Sequence, residues 1–249
     1  MELFCTLSNQ RDGFGAQYQR IIEYYIVVVC KYGINSIHYT PITYLEHNYD
    51  NSNKFIDKIE NLINIKKNVH MVETNIKYKQ IDLGIILSEF EQNIDYYCQS
   101  DPMNFIKKCF WENKTKKLVF NNDKINIAVH IRRGNIHDRG QAGARITTPN
   151  EYYLNIMNGI RNKYKEHDKE LQFHIYSQGE MNNFAILQKD DVIFHLDEDI
   201  CKTFIELVGA DILVTSPSSL SYVAALISDG EIYFKQFWHK PKSDWIVCK

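Results

Sequence analysis

The residues best equipped for chemistry lie mid-chain, in Val129-His130-Ile131-Arg132-Arg133-Gly134-Asn135. Two arginines follow an apolar run that reads as a buried strand, and they open a glycine-containing loop. Guanidinium groups are planar, permanently charged and bidentate, which suits a diphosphate. Open α/β sheets bind ligands at the carboxyl ends of their strands. The plain alternative is a salt-bridged surface loop; the strand before the pair and the glycine after it favour a ligand. A second group, Ala210 to Ser221, runs from a strand through a serine-rich turn into a helix. Hydroxyls and amides at a helix start form an anion site. Ser218 or Ser219 alone would serve as a helix cap. A cap does not account for Thr215, Ser216, Ser218 and Ser219 together. A third group, Arg11-Asp12-Gly13-Phe14-Gly15-Ala16-Gln17-Tyr18-Gln19, follows the first predicted strand. Its two glycines permit close backbone approach. Without a third glycine it is no dinucleotide fingerprint, and by itself it reads as an ordinary turn.

These groups need strands and helices to hold them. Residues 2–8 alternate as an opening strand, 16–31 read as a helix closed by Gly33, and 34–39 as a second strand. This is a β-loop-α-β unit. Helices are predicted over 51–65, 83–91 and 102–111, with a short strand at 69–73. The polar, lysine-rich stretch 112–124 reads as a linker, dividing the chain into domains of residues 1–120 and 121–249. In the second half, strands at 125–131, 171–176, 192–196, 212–215 and 232–234 alternate with helices at 149–167, 181–187, 200–208 and 218–228. Such alternation predicts a parallel, doubly wound sheet.

Composition narrows the function classes. The chain has 249 residues, 44% hydrophobic and 24% charged, which excludes disorder as its main state. A net charge of -2 argues against a protein that coats nucleic acid. Cys5, Cys30, Cys98, Cys109, Cys201 and Cys248 form no CxxC pair, so a zinc ribbon is not expected, and reduced cysteines in a cytoplasmic chain are. The start lacks the basic n-region of a signal peptide. No apolar run approaches the ~20 residues that span a bilayer.

Taken together and in order, Gly13-Phe14-Gly15-Ala16-Gln17, His130-Ile131-Arg132-Arg133-Gly134-Asn135 and Ser218-Ser219-Leu220-Ser221 resemble the α1,2-, α1,6- and protein-O-fucosyltransferases. That group carries a glycine-rich loop, an HxRR motif and a Ser-Ser-x-Ser helix start. The resemblance implies an α/β protein of two small Rossmann-like domains, GT-B-like, with parallel sheets facing a cleft. The first would take the acceptor glycan and the second a nucleotide-sugar donor such as GDP-fucose, without metal or other cofactor. Arg132 and Arg133 would hold the pyrophosphate, and His130 would shape the nucleotide pocket. Ser216, Ser218 and Ser219 would meet phosphate or sugar, and Gly13, Phe14, Gly15 and Gln17 would line the cleft. Ser177 ends a strand whose exit would lie near the nucleotide. Two positions depart from the group: Asn135 stands where it has an acid, and Ala16 where its loop has an asparagine.

The implied reaction is inverting displacement at the anomeric carbon, with Arg132 stabilising the departing diphosphate. Asp12 and Asp138 are the candidate bases for the acceptor hydroxyl; each is otherwise a solvated loop charge. Asp197-Glu198-Asp199 contains a DxD, the metal-holding motif of other glycosyltransferases, but reads more simply as a helix cap with an acidic first turn. His195, at a strand end, is a candidate for the nucleobase. Two alternatives stay open: the same fold using a UDP-sugar such as UDP-xylose, and a non-catalytic nucleotide- or carbohydrate-binding module.

Overall fold

A computed structural model describes residues 3–6, 11–34, 37–48, 52–116, 119–120, 123–133 and 148–249. The chain forms two compact units, Met1–Lys114 and Thr115–Lys249, dividing inside the lysine-rich stretch.

The N-terminal unit is built around one long helix. Strand β1 (Phe4–Cys5) pairs in parallel with β2 (Ile37–His38). Single parallel bridges add Lys79 beside Phe4 and Met71 beside Tyr39. In spatial order these four segments run third, second, first, fourth along the chain, the first four positions of the Rossmann order 3-2-1-4-5-6. Helix α1 (Phe14–Tyr32) connects β1 to β2 and ends at Gly33, whose φ of 64° is the left-handed C-terminal stop that glycine adopts freely. It begins at Phe14, two residues before the expected start, because Phe14 is buried and stacks on Tyr18 one turn later. Helices α2 (Asn53–Ile63), α3 (Ile65–Asn68), α4 (Leu83–Gln92), α5 (Ile94–Cys98) and α6 (Asp101–Trp111) follow. Ser52, Asp82 and Ser100 cap α2, α4 and α6 through their side chains. Helix α1 packs against α4, α5 and α6.

The C-terminal unit is a six-stranded, all-parallel sheet: β3 (Ile125–His130), β4 (Leu171–Ser177), β5 (Val192–Leu196), β6 (Ile212–Val214), β7 (Glu231–Lys235) and β8 (Ile246–Cys248). The spatial order β5-β4-β3-β6-β7-β8 is the complete Rossmann order, with its topological switch point between β3 and β6. Helix α7 (Asn150–Lys163) and a 3₁₀ helix (Met181–Leu187) connect the first three strands. Helices α8 (Ile200–Gly209) and α9 (Ser219–Ile227) connect β5 to β6 and β6 to β7. Reversal of direction at the switch point puts the two helix sets on opposite faces.

Strand alternation makes those faces unlike. Ile125, Ile127 and Val129 of β3, Phe173 and Ile175 of β4, and Ile212 and Val214 of β6 form one core with Tyr153, Met157 and Ile160 of α7. The opposite face carries Asn126 and His130 on β3, His174 and Tyr176 on β4, and His195 on β5. Gly230 packs closely before β7: a Cβ there would lie 2.6 Å from the Ala210 carbonyl oxygen and 2.7 Å from that of Asp211.

Candidate nucleotide site

The C-terminal sheet brings the two strongest motifs together at its switch point. His130 is the last residue of β3, and Ser216 follows β6. Both are buried, and His130 Nδ1 lies 2.9 Å from Ser216 Oγ. Burial, with Arg132 nearby, pushes the His130 imidazole down to about 3, so the ring is neutral at physiological pH. It ties β3 to β6 and is a poor proton acceptor from substrate. The serine turn is braced from within. The Ser216 N–H donates to Ser221 Oγ at 3.2 Å, and the Ser221 hydroxyl reaches the Ser216 carbonyl at 3.2 Å. The Thr215 hydroxyl accepts from the Lys235 N–H at 2.9 Å, locking β6 to β7. Ser218 Oγ accepts from the Leu220 N–H at 3.3 Å and caps α9. Of the predicted hydroxyls, Ser216 is fully buried on His130, whereas Ser218 and Ser219 are half-buried at the helix start.

The two arginines have different surroundings. Arg133 donates to the carbonyls of Arg132 and Thr148, each at 3.1 Å, and to Asn150 Oδ1, with its guanidinium 5.8 Å from the Phe184 ring centroid. Burial lowers its pKa from the ordinary arginine value. These contacts fix the start of the loop against α7 and the 3₁₀ helix. Arg132 donates to the Arg133 carbonyl and to Gln178 Oε1, the latter at 3.3 Å, and is half-buried beyond the end of β3. Ser177 donates to the Ile131 carbonyl at 2.8 Å and ties the ends of β3 and β4.

Several partners were not singled out in the sequence: Gln178, Asn150, Phe184 and Ser221. Ser221 stands in the quoted serine motif, whereas the sequence shows Asn150 only as part of the helix predicted over 149–167. Gln178 and Phe184 become partners only through pairing of the strands.

His195 Nδ1 lies 3.0 Å from Glu198 Oε1, and its Nε2 lies 3.1 Å from His174 Nδ1. The acids of the DxD accept from backbone N–H groups, Asp199 at its own helix start and Asp197 across to the segment after β4. Asp199 Oδ1 accepts from the Cys201 and Lys202 N–H groups, each at 3.1 Å, and Asp197 Oδ2 accepts from the Gly179 N–H at 3.1 Å.

In the N-terminal unit, Arg20 donates to Asp12 Oδ2 at 2.7 Å and the Gly13 N–H donates to Asp12 Oδ1 at 2.9 Å, so both carboxylate oxygens are engaged. Gln17 is buried, and its amide donates to the Asp12 carbonyl at 2.9 Å and the Tyr44 carbonyl at 2.7 Å. Gly13 is the N-cap of α1, and Phe14 and Gly15 lie in its first turn. Asn135 and Asp138 lie outside the described residues.

The fold is therefore α/β with parallel sheets, and at the switch point of its C-terminal unit β3 ends in a neutral histidine and leads to two arginines, while β6 leads to a serine-capped helix start. No protein-family model and no curated protein matches the chain. Among solved structures it is similar to a crystal of NodZ α-1,6-fucosyltransferase soaked with GDP-fucose, at 11% sequence identity and a TM-score of 0.44, over 92% of this chain and 93% of that one. Among the described residues no helix is long and apolar enough to cross a membrane.

Proposed function

We propose that this chain is a glycosyltransferase that takes a nucleoside-diphosphate sugar as donor, fucosyltransferase-like in its motifs, and that the donor's diphosphate lies at the switch point of the C-terminal unit. The observation that carries the reading is the buried His130–Ser216 contact, which draws the ends of β3 and β6 together. Arg132 then follows one strand, and the start of α9 follows the other. A diphosphate there would meet a guanidinium on one side and helix amides with the Ser218 and Ser219 hydroxyls on the other.

In this reading the arginines have separate tasks. Arg132 is the group that pairs with the diphosphate as the glycosidic C–O bond breaks and negative charge develops on the leaving oxygen. Arg133, held by two carbonyls and Asn150, is a positioning residue for the loop. The acceptor is a glycan hydroxyl, which attacks the anomeric carbon with inversion and loses its proton to a carboxylate. Asp138 and Asp12 are the proposed bases; Asp12 would first have to release Arg20. The charge that a metal would neutralise is assigned to the arginine, so the reaction is proposed to need none.

Calorimetric titration with GDP, UDP and GDP-fucose, in EDTA and then with Mn²⁺, tests this. GDP binding in EDTA, with release of free fucose or transfer to a glycan from GDP-fucose, is the expected result. A preference for UDP would change the sugar nucleotide. Binding without turnover on any acceptor would replace the enzyme with a binding module. No nucleotide binding under any condition would remove the proposal.

A further inference from the structure

The polar face of the C-terminal sheet carries a chain of side chains that leads away from the switch point to the edge strand β5. Asn126 Nδ2 donates to the Lys124 carbonyl at 3.2 Å, which turns its Oδ1 toward His174 Nε2, 3.3 Å away. An amide oxygen only accepts, so His174 bears its proton on Nε2, and in the neutral ring Nδ1 is an acceptor. That acceptor faces His195 Nε2 at 3.1 Å, so His195 is the donor there. The remaining nitrogen, His195 Nδ1, faces Glu198 Oε1 at 3.0 Å. In a neutral ring this sets a lone pair against a carboxylate oxygen, and a cation must complete the pair: a proton on the ring or a metal ion.

A second observation separates the two. Glu206, from α8, brings its carboxylate to the same place. One nitrogen of His195 and one oxygen each of Glu198 and Glu206 lie within 4.8 Å of one another. The Tyr176 ring stacks on His195 at 4.6 Å, and its buried hydroxyl faces Glu206. That hydroxyl and Glu206 pair with each other, and Glu206 Oε2, which is buried, completes no further hydrogen bond. A proton on His195 would satisfy Glu198 and leave Glu206 as it is. Lys202 does not satisfy it either: its ammonium lies 2.6 Å from Glu198 but 4.0 Å from Glu206, on an exposed side chain.

We infer that His195, Glu198 and Glu206 bind a divalent transition ion of the Zn²⁺ class, with water completing its shell. One imidazole nitrogen and two carboxylate oxygens are a donor set such ions take. Zinc–ligand bonds of about 2 Å require the three donors to close slightly, and release of Glu198 by Lys202 allows that. The His195 Nε2–H to His174 bond, continued to Asn126, is the outer-shell support that orients a ligating imidazole. The ion would join the end of β5 to α8, on the opposite side of β4 from β3. It is separate from the diphosphate site proposed above, and either can fail alone.

The test is titration of the EDTA-stripped, desalted full chain with Co²⁺, followed by absorption, and with Zn²⁺, followed by calorimetry. One equivalent is expected to bind, with a rise in melting temperature. His195→Ala and Glu206→Gln are each expected to weaken binding by more than ~10-fold. Lys202→Met, which removes the competing ammonium, is expected to tighten it, a gain that a misfolded variant does not produce. Absence of stoichiometric binding in both the wild type and Lys202→Met overturns the site. So does binding that His195→Ala and Glu206→Gln leave undiminished.

Discussion

The two units place their polar groups differently. In the N-terminal unit these groups sit mainly on α1 and α2 and pair within the unit, although Glu23 Oε2 and Glu60 Oε2 are buried without a hydrogen bond. Gln17 is held by the carbonyls of Asp12 and Tyr44, Gln19 donates to Glu23 at 2.9 Å, and Glu60 accepts from the Tyr39 hydroxyl and the Ile42 N–H. Even the end of β1 is closed, since the Thr6 carbonyl accepts from Thr40 and Gln80. In the C-terminal unit the polar groups lie on one face of the sheet and at the strand ends, where Arg132, Ser218 and Ser219 stay half-buried. Internal closure stabilises a fold, whereas half-buried donors at the ends of neighbouring strands are what an anionic ligand can use. Under the proposed function, the first set serves stability and the second serves binding.

The largest expected effect falls on Glu23. Burial pushes its carboxyl up to about 8, so the folded unit keeps a proton that the unfolded chain loses above about 4.5. Its contribution is therefore fully present in acid and lost as pH rises toward about 8. Glu23→Gln should raise stability by roughly 3 kcal/mol at pH 7, with little change at pH 4.5; denaturant melts at the two pH values check it. An equal effect at both would break the assignment. Next is Gly230→Ala, whose added methyl meets two backbone carbonyls. A loss of about 2 kcal/mol is expected in the C-terminal unit, read from the buried Trp245, with no pH dependence over the same range. Ser216→Ala removes the partner of a buried histidine and should cost about 1–2 kcal/mol. It should weaken nucleotide binding as well, which no change at Glu23 should do. The smallest effect is at Ser218→Ala, the cap of α9, at about 1 kcal/mol by denaturation.

Much of the C-terminal unit was legible, because its strands are apolar runs of ordinary length separated by turn residues, and a parallel α/β chain gives each strand its own helix. The two central motifs could be read as neighbours because both end strands of a doubly wound sheet. Strand β8 was not legible: Ile246 to Cys248 is a three-residue edge strand at the end of an aromatic stretch, and only pairing with β7 defines it. Helix α5 was missed because Asn93 joins it directly to α4. The segment Met181–Leu187 is 3₁₀, a distinction its apolar spacing does not encode. The His174–His195 contact was hidden for another reason. Each residue alternates correctly in its own strand, but their meeting depends on the register that sets Tyr176 opposite His195.

The central claim is that the C-terminal switch point holds a diphosphate through Arg132. Its most direct test is GDP titration by calorimetry in EDTA, with the wild type and Arg132→Ala side by side. The account predicts saturable binding to the wild type and a loss of about 2 kcal/mol in the variant, roughly 30-fold in affinity. Equal affinity in both proteins would contradict it.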